Sequence, residues 1–182
     1  MTAQRMAFWA LFVVTLTVYL TMVLWSLPKI SDASGGSAPL DMRPLGYAFA
    51  ETKAFIAALP PDAAEFYLTV QHRLDAVYPA LLAATLFFAI RALTPPRFPV
   101  APWLVALISL PGAAFDHLEN AAVADMLSLG AEGVTPDLVA HASLWTVLKS
   151  AFTSLAMLLL LVFAAVWLWR RVTGRKPHGH AA

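Results

Sequence analysis

Four long apolar stretches constrain the fold of this chain more than any other feature of its sequence. They cover about residues 6–27, 72–93, 101–123 and 142–170. As α-helices, which rise about 1.5 Å per residue, all four are long enough to cross about 30 Å of membrane hydrocarbon. The sequence therefore predicts an all-α fold, a four-helix transmembrane bundle that forms one domain over residues 1–182.

The composition agrees with a membrane protein and excludes several other classes. Of the 182 residues, 60% are hydrophobic and 13% are charged, whereas about 25% of an average soluble domain is charged. So few polar side chains exclude a disordered chain, a nucleic-acid binder and an ordinary soluble enzyme. The chain has no cysteine, which excludes disulfides, thiolate metal sites, Fe–S clusters and covalently attached c-type haem.

The basic residues are distributed unevenly about the spans. Arg5 precedes the first span, Arg91 and Arg97 bracket the connection between the second and third, and a basic tail (residues 171–182) follows the fourth. The connection between the third and fourth spans has acidic residues but no Lys or Arg. The positive-inside rule therefore predicts that both termini are cytoplasmic. The first span is expected to stay uncleaved, because its apolar core exceeds that of a usual signal peptide.

Residues 28–71 form the predicted extracytoplasmic segment. Residues 47–59 place apolar side chains on one helical side, which predicts a short amphipathic helix. That helix would lie on the membrane, cover the bundle or serve only as a packing element. Helix starts are predicted near Pro61 and Pro136, because proline and acidic residues favour a first helical turn.

Ionisable side chains interrupt three of the spans at a similar depth. Counted from the cytoplasmic ends, Asp75, Asp116 and Glu119 lie about 20–24 Å up and Lys149 about 30 Å up, which places them in the outer third of the membrane. Asp116, Glu119 and Asn120 are residues i, i+3 and i+4 of one helix and share a face. A charge facing lipid would cost about 2.5–3.5 kcal/mol, so these groups are predicted to face inward and pair.

Spacing predicts that further polar side chains join this level. Thr146 shares a helix face with Lys149, His72 lies one turn before Asp75, and Tyr19 of the first span reaches the same height. These residues are therefore predicted to contribute to one binding site with the acids.

Two prolines are predicted to open a space beside the acids. Pro79 has no N–H to donate to the carbonyl of Asp75, so that oxygen is free to accept another hydrogen bond. Pro111 and Gly112 should bend the third helix one turn before Asp116. Freed backbone groups inside a membrane are tolerated where they find partners or line a cavity. The sequence thus predicts a pocket that opens toward the outer face.

The charges allow a functional and a structural interpretation. Three carboxylates and one ammonium cannot all stay ionised at close range without a further cation or a proton. In the functional interpretation Asp116 and Glu119 are the acid and base, Lys149 keeps one of them ionised or contacts an anionic group, and Asp75 and Asn120 orient the partners. In the structural interpretation Lys149 pairs with one acid and Asn120 bridges the helices to fix their packing.

Three histidines, His72, His117 and His141, map to the outer side. His72 with Asp75, and Asp116 with Glu119, are each spaced so that the pair could place two ligands on one metal ion, but these spacings are not specific signatures of a metal site. All three are candidate binding residues of the predicted site; a hydrogen-bonding role is favoured for each, and a bis-histidine haem is less favoured. The metal and cofactor therefore stay unassigned. The sequence has no nucleophile-elbow, P-loop or zinc-protease motif.

Short motifs between residues 40 and 150 also resemble a known group of proteins. The motifs are Leu45-Gly46-Tyr47, Tyr67-Leu68, Asp75, Pro79, Asp116-His117-Leu118-Glu119-Asn120 and Lys149. In them the chain resembles a group of small four-span bacterial membrane proteins of uncharacterised activity. The resemblance implies the topology and the importance of the same polar residues, but it implies no reaction. With the predicted orientation, we expect a multi-pass protein of the bacterial inner membrane.

Three functions are compatible with these features. The first is an intramembrane acid/base pocket that binds or converts an amphipathic or membrane-soluble small molecule. The second is an accessory or assembly subunit, which would bury apolar faces of the first and fourth spans against another protein. The third is a proton-coupled carrier, which the apolar cytoplasmic halves of the spans and the lack of internal repeats disfavour. The expected partners are membrane lipids, a small amphiphile, and a protein partner or second copy.

Overall fold

The structure, a computed structural model, describes residues 2–95 and 99–174. In this part of the chain it is helical and contains no strands. The helices are α1 (Ala3–Ala33), α2 (Phe49–Ala58), α3 (Pro61–Leu93), α4 (Ala101–Gly133) and α5 (Pro136–Val172). The predicted all-helical fold with four long apolar helices is confirmed. The predictions for Arg97 and for residues 175–182 lie outside the described residues.

The four long helices extend beyond the apolar stretches of the sequence. They contain 31, 33, 33 and 37 residues, and α4 has one non-helical residue, Gly130, near its end. At about 1.5 Å per residue these lengths correspond to about 46–55 Å against about 30 Å of hydrocarbon. The helix starts predicted near Pro61 and Pro136 are confirmed. The side chain of Thr135 caps α5 by accepting a hydrogen bond from the backbone N of Leu138 at 3.3 Å.

The long helices run up, down, up and down, with α3 as the central element. α3 packs against α1, α4 and α5, and α4 and α5 form the most extensive pair. Gly112 lets α4 approach α5 closely, since a Cβ atom there would lie 2.5 Å from Thr153 Oγ1 and 3.2 Å from Thr153 N. α1 packs along α3 and has only marginal contact with α4 and α5.

Two apolar cores occupy the two ends of the bundle. One end of the bundle carries residues 34–60, which connect α1 to α3; we call it the loop end. The core there packs residues of this connection against the ends of the long helices, and it includes Ile30, Leu40, Phe55, Met126 and Val139. The core near the termini is smaller and consists of Leu86, Ile90, Ala106 and Ala156 with their partly buried neighbours. α2 packs mainly on α4 and thereby covers the loop end of the bundle.

Three long helices contain irregular turns. α1 has a π-helical turn at Met22–Ser26, and α3 has another at Tyr67–Gln71. Near Pro111, where a bend is predicted, α4 has a 3-10 turn at Leu107–Ser109, which ends two residues before that proline. The two π turns pack against each other, and the sequence analysis does not predict them.

Candidate functional site in a polar cavity

The polar side chains of three helices meet between the two apolar cores. Glu119 of α4 is fully buried: one carboxylate oxygen accepts a hydrogen bond from the Thr146 hydroxyl, and the other contacts the Lys149 ammonium. Lys149 Nζ also lies 3.4 Å from Asp116 Oδ1. Lys149 therefore bridges the two acids of α4, and its side chain is 13% exposed while that of Asp116 is 18% exposed.

A second hydrogen-bonded chain joins α1 to α3 at the level of the π turns. Gln71 Nε2 donates to the buried carboxylate of Asp75 at 2.9 Å, and Gln71 Oε1 accepts from the Ser26 hydroxyl at 2.5 Å. Ser26 and Gln71 are the last residues of the two π turns. Irregular turns of this kind often occur at functional sites, and here they direct polar side chains of neighbouring helices toward each other.

The carbonyl oxygen that Pro79 frees has a specific partner. Asn120 Nδ2 donates to the backbone oxygen of Asp75 at 2.9 Å. A buried carbonyl without a partner costs about 1–3 kcal/mol, so this bond replaces the missing intrahelical one. Asn120 thus connects α4 to α3 beside the acids.

A cavity of about 200 Å³ lies beside Lys149 and Asp116. An apolar cavity of about 150 Å³ binds benzene in another protein, so this space is large enough for a small organic group. Residues of all four long helices and of the connection after α1 line it; they are Tyr19, Met22, Val23, Leu27, Asp41, Met42, Asp75, Tyr78, Leu82, Asp116, Lys149, Ser150 and Thr153. The cavity therefore combines ionisable, aromatic and apolar walls.

Asp41 belongs to this site although the sequence analysis does not identify it. It lies in a 3-10 turn, Leu40–Met42, which the fully buried Leu40 anchors in the loop-end core. Its carboxylate accepts a hydrogen bond from the Tyr67 hydroxyl, and its side chain lines the cavity. Asp41 adds a fourth carboxyl group to the three that the sequence analysis predicts around the single ammonium of Lys149.

The remaining predicted residues occupy different positions. Tyr19 lines the cavity and stacks on Tyr78, with ring centroids 5.8 Å apart. His72 lies beside a space of only about 10 Å³ that Asp41 and Asp75 also border. The side chains of His117 and His141 are exposed and line neither space. Within residues 2–95 and 99–174, no group of three His, Cys, Asp or Glu residues is arranged to hold a metal ion.

Tyr47 borders the cluster from the loop end. Its hydroxyl lies 3.5 Å from Thr146 Oγ1, and its backbone N donates to Ser143 Oγ at 2.9 Å. Burial raises the pKa of the Tyr47 phenol above its ordinary value, and the nearby negative charges of Glu119 and Asp41 raise it further. The phenol therefore stays protonated beside Thr146.

The fold defines the chain as a multi-pass helical protein with four candidate membrane spans. Comparison with models of known protein families, with curated protein sequences and with solved structures finds no match. The geometry of the cavity therefore carries the functional argument alone.

Proposed function

We propose that this membrane protein binds or converts an amphipathic or membrane-soluble small molecule in the cavity between its four long helices. The observation that carries the proposal is the cavity itself. Its wall combines the paired charges of Asp116 and Lys149 with the apolar side chains of α1. Ionisable groups inside a membrane are expensive to bury and are therefore usually functional.

The contacts of the two α4 acids suggest different roles for them. Asp116 lines the cavity and is within hydrogen-bond reach of Lys149, so its carboxylate is available for acid/base work on a ligand. Glu119 lies behind it, bound to Thr146 and Lys149, and holds the ammonium in place. Asn120 positions the acids by fixing α4 on the backbone of α3.

The ligand is proposed to enter from the lipid. Tyr19, Met22, Val23 and Leu27 of α1 form one wall of the cavity, and Lys149, Ser150 and Thr153 of α5 form another. The two helices have only marginal contact. A membrane-dissolved molecule can therefore pass between them without crossing a packed interface.

Two neighbouring residues of α1 provide a matched test. Val23 lines the cavity, whereas Leu24 does not line it and is 72% exposed. The purified protein is examined by native mass spectrometry with its copurified molecules. We expect the wild type and Leu24→Trp to retain a bound small molecule and Val23→Trp to lose it, because the indole fills the cavity. A bound-molecule profile that is the same in both variants, or no bound molecule in the wild type, would contradict the proposal.

Single charge variants test the roles of the polar residues. Asp116→Asn and Lys149→Met are expected to change ligand retention, and Glu119→Gln is expected to change it through Lys149. If all three variants accumulate in the membrane and bind the ligand as the wild type does, the cluster serves helix packing alone.

We also propose that the loop end faces away from the cytoplasm of a bacterial cell, with both termini inside. The chain has no cysteine, so single cysteines report accessibility without background. Ser37→Cys at the loop end is expected to react with a membrane-impermeant maleimide in intact spheroplasts, and Thr173→Cys only after lysis. The reverse pattern would refute this orientation.

A further inference from the structure

We propose that the polar end of the ligand is an organic cation, such as the protonated amine of an amphiphile; this inference depends on the proposed function. The cavity would thus select one class of headgroup, and its acidic and aromatic side chains would contact that headgroup. Three features of the cavity wall support it: the partners of its charged groups, an aromatic pair and the apolar side of α1.

The charges on the wall favour a cation over an anion. Asp41, Asp75 and Asp116 line the cavity, and Lys149 is the one basic side chain that lines it in the described part of the chain. The Lys149 ammonium already contacts Glu119 and Asp116. An anionic headgroup would have to compete with two carboxylates for that ammonium and would face the other acids, and such like-charge contacts are unfavourable.

Two of the acidic side chains can accept further hydrogen bonds from a cation. Asp75 accepts a hydrogen bond from Gln71, and Asp41 accepts one from Tyr67. Both donors are neutral, so neither of these two hydrogen bonds brings a positive charge to Asp75 or Asp41. An ammonium group between Asp41 and Asp75 would bring a positive charge and donate hydrogen bonds to both, and such charge-assisted hydrogen bonds are the strong ones that a carboxylate accepts.

The aromatic and apolar walls fit the rest of such a molecule. Tyr19 and Tyr78 stack at the cavity, and the faces of tyrosine rings attract ammonium groups. Met22, Leu27 and Leu82 provide the apolar surface next to them. The volume of about 200 Å³ accommodates a headgroup and the beginning of an alkyl chain, so the remainder of the chain would extend into the lipid between α1 and α5.

The proposal is tested with three amphiphiles that share one alkyl chain: dodecylammonium, dodecanol and dodecanoate. Their binding to the intact purified protein in lipid nanodiscs is measured at neutral pH from native mass spectra and tryptophan fluorescence. We expect dodecylammonium to bind at least about tenfold more tightly than dodecanol, and dodecanoate to bind most weakly, because three acidic side chains line the wall and its one ammonium already contacts two acids. Equal or tighter binding of dodecanol or dodecanoate would overturn the inference and leave the proposed function intact.

Charge variants identify where the cation binds. Asp75→Asn and Asp41→Asn are each expected to reduce the affinity for dodecylammonium by about tenfold, while the affinity for dodecanol stays unchanged. Asp125→Asn is the matched control, since Asp125 lies on α4 but is exposed and does not line the cavity. Asp41 is in a connection rather than in a long helix, so its variant remains informative if Asp75→Asn does not fold.

The outcomes separate the two proposals. If Asp125→Asn reduces the affinity as much as the cavity variants do, the cation is attracted by surface charge, and the inference is overturned. If none of the three amphiphiles binds saturably to the folded wild type, and Val23→Trp behaves as the wild type does, the proposed function fails as well.

Discussion

Replacing Lys149 with Met removes the ammonium that contacts both acids of α4. The side chain of Glu119 is 0% exposed and that of Asp116 is 18% exposed, so neither carboxylate is well hydrated after the change. Removing one partner of a buried ion pair costs about 3–5 kcal/mol, because the other charge stays buried without compensation. For a chain of this size about 1 kcal/mol corresponds to about 2–4 °C, so the melting temperature should fall by about 6–20 °C.

The exposed pair of Lys53 and Glu132 provides a matched control. Lys53 Nζ lies 3.2 Å from Glu132 Oε2, but the two side chains are 40% and 91% exposed. Exposed pairs contribute about 0–1 kcal/mol, so Lys53→Met should shift the melting temperature by less than about 4 °C. The two variants carry the same substitution and differ in the burial of the pair that they break.

Thermal unfolding in detergent micelles, followed by tryptophan fluorescence, measures both effects. The double variant Lys149→Met/Glu119→Gln removes the stranded charge and should recover more than half of the loss in melting temperature. A Lys149→Met protein that melts like Lys53→Met, or a double variant no more stable than the single one, would refute the reasoning that the buried pair fixes the site.

Three further predictions concern single contacts. Asn120→Leu should cost about 1–3 kcal/mol of stability, because it leaves the backbone carbonyl of Asp75 unpaired. Adding Pro79→Ala should restore part of this loss by returning a backbone N–H donor to that carbonyl. Thermal melts of the single and double variants test this, and a double variant no more stable than Asn120→Leu would contradict it. Gly46→Ala should lower the melting temperature, because Gly46 has φ +87° and a Cβ atom would lie 2.5 Å from Ser143 Oγ. Adding Ser143→Gly should relieve the clash but not the backbone strain. Full recovery of the melting temperature in the double variant would contradict this account. Burial raises the pKa of the Tyr47 phenol above its ordinary value of 10.0, so the folded state holds the phenol proton more tightly than the unfolded state does. The stability of the folded protein should therefore fall as the pH rises above 10.0. Tyr47→Phe should lose less stability over the same pH range, and an equal loss in both proteins would contradict the prediction.

The helix-based features of this protein can be predicted from its sequence. Apolar length predicts the four long helices, and proline and acidic residues predict the starts of α3 and α5. The missing donor of Pro79 predicts an unpaired carbonyl at Asp75, and the structure shows the partner that replaces it, Asn120. Helical spacing places Asp116 and Glu119 on one face of α4, and the similar depths counted along the spans predict that Lys149 of α5 lies near them. Apart from the position of Lys149, which needs the depths of two spans to be compared, these inferences need only the geometry of a single helix.

The parts that depend on tertiary packing could not be predicted in this way. Asp41 reaches the cavity because Leu40 is buried in the loop-end core, and helical periodicity carries no information about such a connection. The link between Ser26 and Gln71 depends on two π turns, which have no recognised sequence signature. The exposure of His117, by contrast, agrees with single-helix geometry, because neighbouring residues of a helix point about 100° apart and Asp116 faces inward.

The π turn of α1 also determines which part of that helix can line the cavity. Tyr19 precedes the turn and Leu27 follows it, and both border the same space. Eight positions of an uninterrupted α-helix would leave two side chains about 80° out of phase, whereas one additional residue absorbed in a π turn reduces the difference to about 20°. If all residues of α1 were kept but Met22–Ser26 became regular α-helix, Tyr19 would rotate out of phase with Leu27 by about 80°. Deleting one residue from Met22–Ser26 would instead keep the phase, because seven α-helical positions also leave only about 20°. The two segments of α1 share one inward face because the π turn absorbs that single additional residue.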